Sequence, residues 1–153
     1  MIIEGSVWGS WPEATIQALL ADWPRLTGAI PGLRDLAIDG TSVTGTMVVP
    51  LPFMDLVSRI EGTVEREDDR LVVRVVGHPE RLVGTFTCDI VLELAQNPER
   101  TEFGMRYRLT LQTSGRLASL GDAMLRSVSG KQAALFEDRL RALLEEAVPH
   151  DHF

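Results

Sequence analysis

Apolar and polar residues alternate with a period of two over most of the chain and change to helical spacing in two places, one near the start and one at the end. The opening segment, with β-branched Ile2, Ile3 and Val7, predicts a strand of about seven residues that breaks at Gly9-Ser10. Ser10 then reads as a helix N-cap, with Pro12 just inside the first turn and Glu13 near the positive end of the helix dipole. Ile16, Leu19, Leu20 and Trp23 form the stripe to be buried. Pro24 cannot continue that helix without losing a hydrogen bond, so a second short helical turn ending near Gly28 follows, then a turn at Pro31-Gly32.

From Leu33 the pattern is that of strands. Leu33, Leu36 and Ile38 run into the hairpin signal Asp39-Gly40, and residues 41–51 return. Pro50 and Pro52 around Leu51 predict a strand end or bulge. Residues 56–67 alternate, with Leu56, Ser58, Ile60, Gly62 and Val64 inward; Asp68-Asp69 turns the chain into residues 70–76, and Gly77-His78-Pro79-Glu80 turns it again. Residues 85–95 place Phe86, Cys88, Ile90, Leu92 and Leu94 on one face, and residues 103–113 do the same with Phe103, Met105, Tyr107, Leu109 and Leu111. Their opposite faces carry Asp89 and Glu93 against Arg106 and Arg108, which predicts charge pairs across a hairpin.

The final segment, residues 115–148, repeats Leu117, Leu120, Met124, Val128, Leu135, Phe136, Leu140 and Leu143 at spacings of three, four and seven. It reads as one helix, roughly 50 Å long if unbroken, that covers the sheet. Gly121 and Gly130 lie within it, and residues 127–131 are the expected place of a bend. Gly115, Ala118 and Gly121 allow close approach to the sheet, so a pocket is expected beneath residues 115–128, with residues 132–144 closing the core. The fold class is therefore α+β: a strand, two short helices, a meander of about six strands and a closing helix. Residues 1–148 read as one domain, with 149–153 as a tail.

Composition narrows the function. A chain of 153 residues is long enough for one sizeable core. Fifteen Lys and Arg against 22 Asp and Glu give a net charge of −7, which repels phosphate backbones and argues against nucleic acid as a partner. The single cysteine, Cys88, excludes an internal disulfide and suits a reducing compartment, so a cytoplasmic location is expected. No apolar run approaches the roughly 18 to 20 residues that span a bilayer, and the N-terminus lacks the basic start of a signal peptide; no stable membrane insertion is expected.

The inward positions carry no charge. Met47, Val49, Phe53, Ser58, Ile60, Val73, Phe86, Cys88, Ile90, Phe103, Met105, Tyr107, Leu120 and Met124 are the candidate ligand-binding residues. An uncharged inner face suits an apolar ligand and equally suits a filled core, and the residues alone leave both open. Ser58, Cys88 and the Tyr107 hydroxyl are its polar groups, able to orient a carbonyl or hydroxyl or to bond to backbone. Cys88 has no basic neighbour in its strand and reads as an inert thiol. Residues 50–54 read as a pocket lip, a lid, a partner contact or a buried corner. No nucleophile elbow, phosphate loop, zinc motif or dinucleotide fingerprint occurs, so no catalytic residue and no cofactor is assigned. His150-Asp151-His152 could hold a metal only weakly and reads as a frayed tail.

Several of these residues together resemble a known family. Ile3-Glu4-Gly5, Ala29-Ile30-Pro31-Gly32, Gly62, and above all Tyr107 followed by Gly115-Arg116-Leu117-Ala118-Ser119-Leu120-Gly121 and later Phe136 are similar to the START-like (SRPBCC) helix-grip superfamily, and within it to the family of the carbon monoxide dehydrogenase accessory protein CoxG. The resemblance implies a curved antiparallel sheet of about seven strands wrapped around the long helix, with an apolar cavity between them. It also implies a hydrophobic ligand, since superfamily members bind lipids, sterols and polyketides. The CoxG family is associated with molybdenum-containing carbon monoxide dehydrogenases and their membrane or quinone connection, and its longer members carry a C-terminal membrane-binding segment that this sequence, ending at Phe153, does not show. The leading expectation is a binder of a lipid- or quinone-like molecule that assists a redox enzyme complex. The alternatives are an enzyme of the cyclase or hydrolase kind using Tyr107, Ser58 or His78 as acid–base groups, and a ligand-free adaptor. Oligomeric state is left open.

Overall fold

The structure, a computed structural model, describes residues 1–99 and 102–147. Its strands are β1 (Ile2–Trp11), β2 (Leu33–Asp39), β3 (Ser42–Pro50), β4 (Asp55–Glu67), β5 (Arg70–Pro79), β6 (Phe86–Asn97) and β7 (Glu102–Thr113). They form one sheet in the order β1-β7-β6-β5-β4-β3-β2 with every pair antiparallel. Short turns join β2 through β7, so each strand lies beside the next. β1 instead pairs with β7, which puts the first two strands at opposite edges. The chain crosses between those edges through helices α1 (Glu13–Ala21) and α2 (Trp23–Leu26) and a 3-10 turn at Thr27–Ala29.

Three strand boundaries differ from the sequence reading, each for a local reason. β1 does not stop at Gly9-Ser10: Gly9, Ser10 and Trp11 all oppose Phe103, so the strand bends through a bulge and continues. Pro12, not Ser10, precedes α1 and makes no side-chain cap. β5 runs through Gly77 and His78 to Pro79, because Gly77 pairs with both Ile60 and Phe86. In β2 a second bulge, with Asp35 at φ 54°, shifts the register between Arg34 and Ala37. That bulge lets Leu33 and Leu36, three apart, face the same way, while Ile38 is left exposed.

The closing helix is also two pieces, α3 (Gly115–Ala118) and α4 (Asp122–Ala147). The break falls at Ser119–Gly121 and not at 127–131. Leu120 and Gly121 donate their backbone N–H groups three residues back, to Leu117 and Ala118, and Gly121 then takes φ 88°, a left-handed conformation that ends the helix. Gly115, at φ 65°, opens α3. The two glycines that frame the Gly115–Gly121 motif are thus both backbone switches. Gly130 is carried inside α4 without a break, since an interior glycine costs a helix only about 1 kcal/mol.

The packed end of the molecule lies under the C-terminal half of α4. Leu140 and Leu144 meet Val7, Ile16, Leu20 and Met105, all of them without measurable exposure. Trp11 is buried beside them, with the Arg141 guanidinium 5.8 Å from its ring centroid and Arg141 Nη1 donating to the Trp8 carbonyl at 3.1 Å. The outer face of the sheet carries ion pairs: Glu4–Arg108 at 3.0 Å, Glu93–Arg106 at 4.0 Å and Asp89–Arg74 at 3.5 Å. The register places Glu93 opposite Arg106 as expected, but puts Arg108 opposite Val91 and next to β1, so Arg108 takes Glu4 and Asp89 turns to β5. Exposed pairs of this kind contribute at most about 1 kcal/mol each.

The two helix glycines respond to alanine in opposite directions. Neither has an atom within 4 Å of an added Cβ, so space does not decide the outcome. Gly121→Ala should destabilise by about 1 to 2 kcal/mol through left-handed strain, and Gly130→Ala should stabilise by up to about 1 kcal/mol. Urea denaturation of the two variants beside the parent checks both signs.

Candidate ligand-binding site

Between the sheet and the N-terminal half of α4 lies a cavity of about 290 Å³. Its sheet wall is the inward row of each strand: Val43, Met47 and Val49 from β3, Leu56, Ile60 and Val64 from β4, Leu71, Val73 and Val75 from β5, Phe86, Cys88, Ile90 and Leu92 from β6, and Tyr107, Leu109 and Leu111 from β7. Its roof is Leu117 of α3 with Leu125, Val128, Ser129, Gln132, Ala133 and Phe136 of α4. Trp23, Leu26, Thr27, Ile30 and Pro31 close the side where the chain crosses from β1 to β2. Among the described residues, no charged side chain lines it.

Two glycines shape the sheet wall. Gly5 of β1 faces Tyr107 across the ladder, and a Cβ there would sit 2.5 Å from the Tyr107 ring carbon Cζ. Gly77 of β5 faces Phe86, whose ring lies where its Cβ would be. Each glycine therefore lets an aromatic ring lie across the neighbouring strand. Tyr107 uses the space to reach α4: its hydroxyl donates to Glu137 Oε1 at 2.5 Å, and its ring meets Phe136 edge to face with centroids 5.6 Å apart.

The cavity brings together Met47, Val49, Ile60, Val73, Phe86, Cys88, Ile90 and Tyr107 of the candidate residues. The others lie elsewhere. Phe53 is 59% exposed on the turn after β3, where Leu51 N–H donates to the Met54 carbonyl; the proline-rich corner turns its phenyl ring outward, and Leu51 lines the cavity in its place. Ser58, Phe103 and Met105 pack outside the lining, Ser58 and Met105 almost wholly buried and Phe103 against the main core. Leu120 and Met124 are displaced by the break at Gly121, which resets the helical phase so that Leu117 and Leu125 face inward instead. Leu71 and Val75 follow from the same alternation as Val73, whereas Ile30 and Pro31 sit in irregular chain that carries no periodic signal.

The acid–base candidates do not meet. Tyr107 is committed to Glu137, Ser58 is outside the lining, and His78 sits on the outer face with Nε2 3.2 Å from Glu61 Oε1. Burial first, then the bond to Glu137 and the charge of that carboxylate, push the Tyr107 phenol well above its ordinary value. Burial, reinforced by Asp89, pushes the Cys88 thiol up to about 12. Both groups are neutral at physiological pH. No cluster of three His, Cys, Asp or Glu suited to a metal occurs among the described residues, and His150, Asp151 and His152 lie outside them.

Comparison with known proteins agrees with this arrangement. The family model for CoxG, the G subunit of carbon monoxide dehydrogenase, matches residues 5–143. A conserved protein from Geobacillus kaustophilus is similar in structure with a TM-score of 0.79 and 16% identity, over 99% of this chain and 100% of that one. A START superfamily protein from Mycobacterium smegmatis gives 0.64 and 11% identity, over 96% and 99% of the two chains. The Zhui aromatase/cyclase from a Streptomyces species gives 0.60 and 12%, over 96% and 93%. At these identities the likeness is one of fold, and that fold is the START-like helix grip. No curated protein matches the sequence.

Raised values for Cys88 and Tyr107 fix the sign of an alkaline effect. Each favours its protonated form in the folded state, so the stability it contributes is complete below the unfolded values, 9.0 for the thiol and 10.0 for the phenol, and fades as pH rises toward the folded values. Urea midpoints should fall from about pH 9 upward. Cys88→Ala should remove the part that begins at 9.0 and Tyr107→Phe the part that begins at 10.0, with all three proteins parallel below 9.0.

Proposed function

We propose that this chain, which belongs to the CoxG family of carbon monoxide dehydrogenase, binds an uncharged hydrophobic molecule, lipid- or quinone-like, between its sheet and α4. In this reading it serves a carbon monoxide dehydrogenase-type redox system as an accessory factor in the cytoplasm. The observation that carries the ligand is the wall of the cavity, built from five strands and both closing helices without one charged side chain among the described residues. Burying an apolar ligand there gains roughly 2.5 kcal/mol per 100 Å² removed from water, while an ion would have to shed its hydration against a wall that offers no counter-charge. The redox connection rests on the family alone. The lone cysteine, a free thiol, supports the compartment. No helix among the described residues is long and apolar enough to cross a membrane. The cyclase or hydrolase reading draws no support from Tyr107, Ser58 and His78, which face three different surroundings.

Filling the cavity tests the binding. Ile90 lines it at mid-strand on β6, whereas Arg74 projects from the outer face of β5. Ile90→Trp should weaken binding of a hydrophobic fluorescent dye at least about tenfold, equivalent to about 1.4 kcal/mol, with the circular dichroism spectrum unchanged. Arg74→Trp should leave dye binding as it is. Equal dye affinity in all three proteins would remove the cavity as the ligand site.

A further inference from the structure

We propose that Gln132 is the polar anchor of the cavity and selects ligands whose polar end is a hydroxyl group, a step that rests on the cavity being the binding site. Gln132 lies on α4 among the roof residues, and its Oε1 is buried with no hydrogen-bond partner, the one such side-chain oxygen or nitrogen among the described residues. A buried acceptor left unpaired is costly and uncommon, and it asks for a donor from whatever fills the space beside it.

The rest of the lining does not supply that donor. The Thr27 hydroxyl donates to the Pro24 carbonyl at 2.5 Å, and the Tyr107 hydroxyl donates to Glu137. Cys88 holds a neutral thiol on the opposite wall. Ser129 lines the cavity three residues before Gln132, on the same face of the helix, so the two make a small polar spot in a wall that is otherwise hydrocarbon. One acceptor in an uncharged cavity specifies a matching ligand: an apolar body with a single O–H. A carboxylate fits poorly, because it brings only acceptor oxygens toward the Gln132 oxygen and no cation among the described residues lines the cavity to offset its charge. An ether or hydrocarbon of the same length fits the walls and leaves Oε1 unpaired.

The test compares three probes of equal chain length, decanol, decyl methyl ether and decanoate, at neutral pH by isothermal titration calorimetry. The parent protein should bind decanol about fivefold more tightly than the ether, and decanoate more weakly than either. Gln132→Leu removes the acceptor and places an apolar side chain in an apolar wall. It should keep or raise the thermal midpoint, bind the ether at least as well as the parent does, and show no preference for the alcohol. Gln132→Met supports the same comparison should the leucine variant fold poorly. The anchor is overturned if the parent binds alcohol and ether alike, if decanoate binds as tightly as decanol, or if the preference survives in the variants. Absence of binding by all three probes would overturn the cavity reading along with it.

Discussion

The contact on which the rest of the structure depends is the one that Tyr107 makes through the gap at Gly5. β1 and β7 lie side by side, and α4 packs above them. A side chain at position 5 would occupy the place of the Tyr107 hydroxyl, so the absence of a Cβ allows that hydroxyl to reach Glu137. A hydrogen bond to a charged acceptor contributes about 1.5 to 3 kcal/mol, and the edge-to-face contact with Phe136 about 0.5 to 1.5 kcal/mol more. The contact also divides the molecule. On the far side of Glu137, Leu140 and Leu144 are packed without exposure; on the near side, Phe136, Ala133 and Val128 face open space.

That division explains how one helix both seals a core and roofs a cavity. The break at Gly121 separates a short α3, tied to the loop before β6 by the Arg116 N–H to Val83 carbonyl bond of 2.7 Å, from a long α4 anchored at its other end. α4 is therefore fixed by contacts near its C-terminus and by the chain crossing from β1 to β2, which meets it at the 3-10 turn. Between these supports the sheet keeps its inward row of apolar side chains, and Phe86 lies flat across Gly77 without standing up into the space. The cavity is the volume left when a curved sheet and a straight helix are held together at two places.

Much of this was legible in the chain, and what was not has physical causes. Alternation in β6 and β7 assigned Phe86, Cys88, Ile90 and Tyr107 to the inner face, because side chains of a strand follow a period of two whatever the tertiary setting. The helical positions were misplaced because Leu120 and Met124 were phased as if residues 115–148 were one helix, and a single left-handed residue resets that phase. Bulges hid the length of β1 and the facing of Leu36, since an extra residue in a strand breaks the alternation from which facing is read. Tyr107 was identified, but not its partner. Glu137 follows Phe136 in an exposed-looking charged run, and only the gap at Gly5 brings it to a buried hydroxyl.

The chemistry of the wall bears on how such a site is loaded and emptied. Its two ionisable members, Cys88 and Tyr107, are held in their protonated forms by burial, and no histidine among the described residues lines the cavity. The wall therefore presents the same uncharged surface across the physiological range of pH, and titration gives it no means of releasing a ligand. Selection falls to shape and to the single unpaired acceptor on α4. Release falls to the segments that border the cavity without belonging to the ladder: Leu51 in the turn after β3, Ile30 and Pro31 after the 3-10 turn, and Leu117 ahead of the break at Gly121. These segments are held by few backbone bonds compared with the sheet, so they are the parts that can open while the core under Leu140 and Leu144 stays closed.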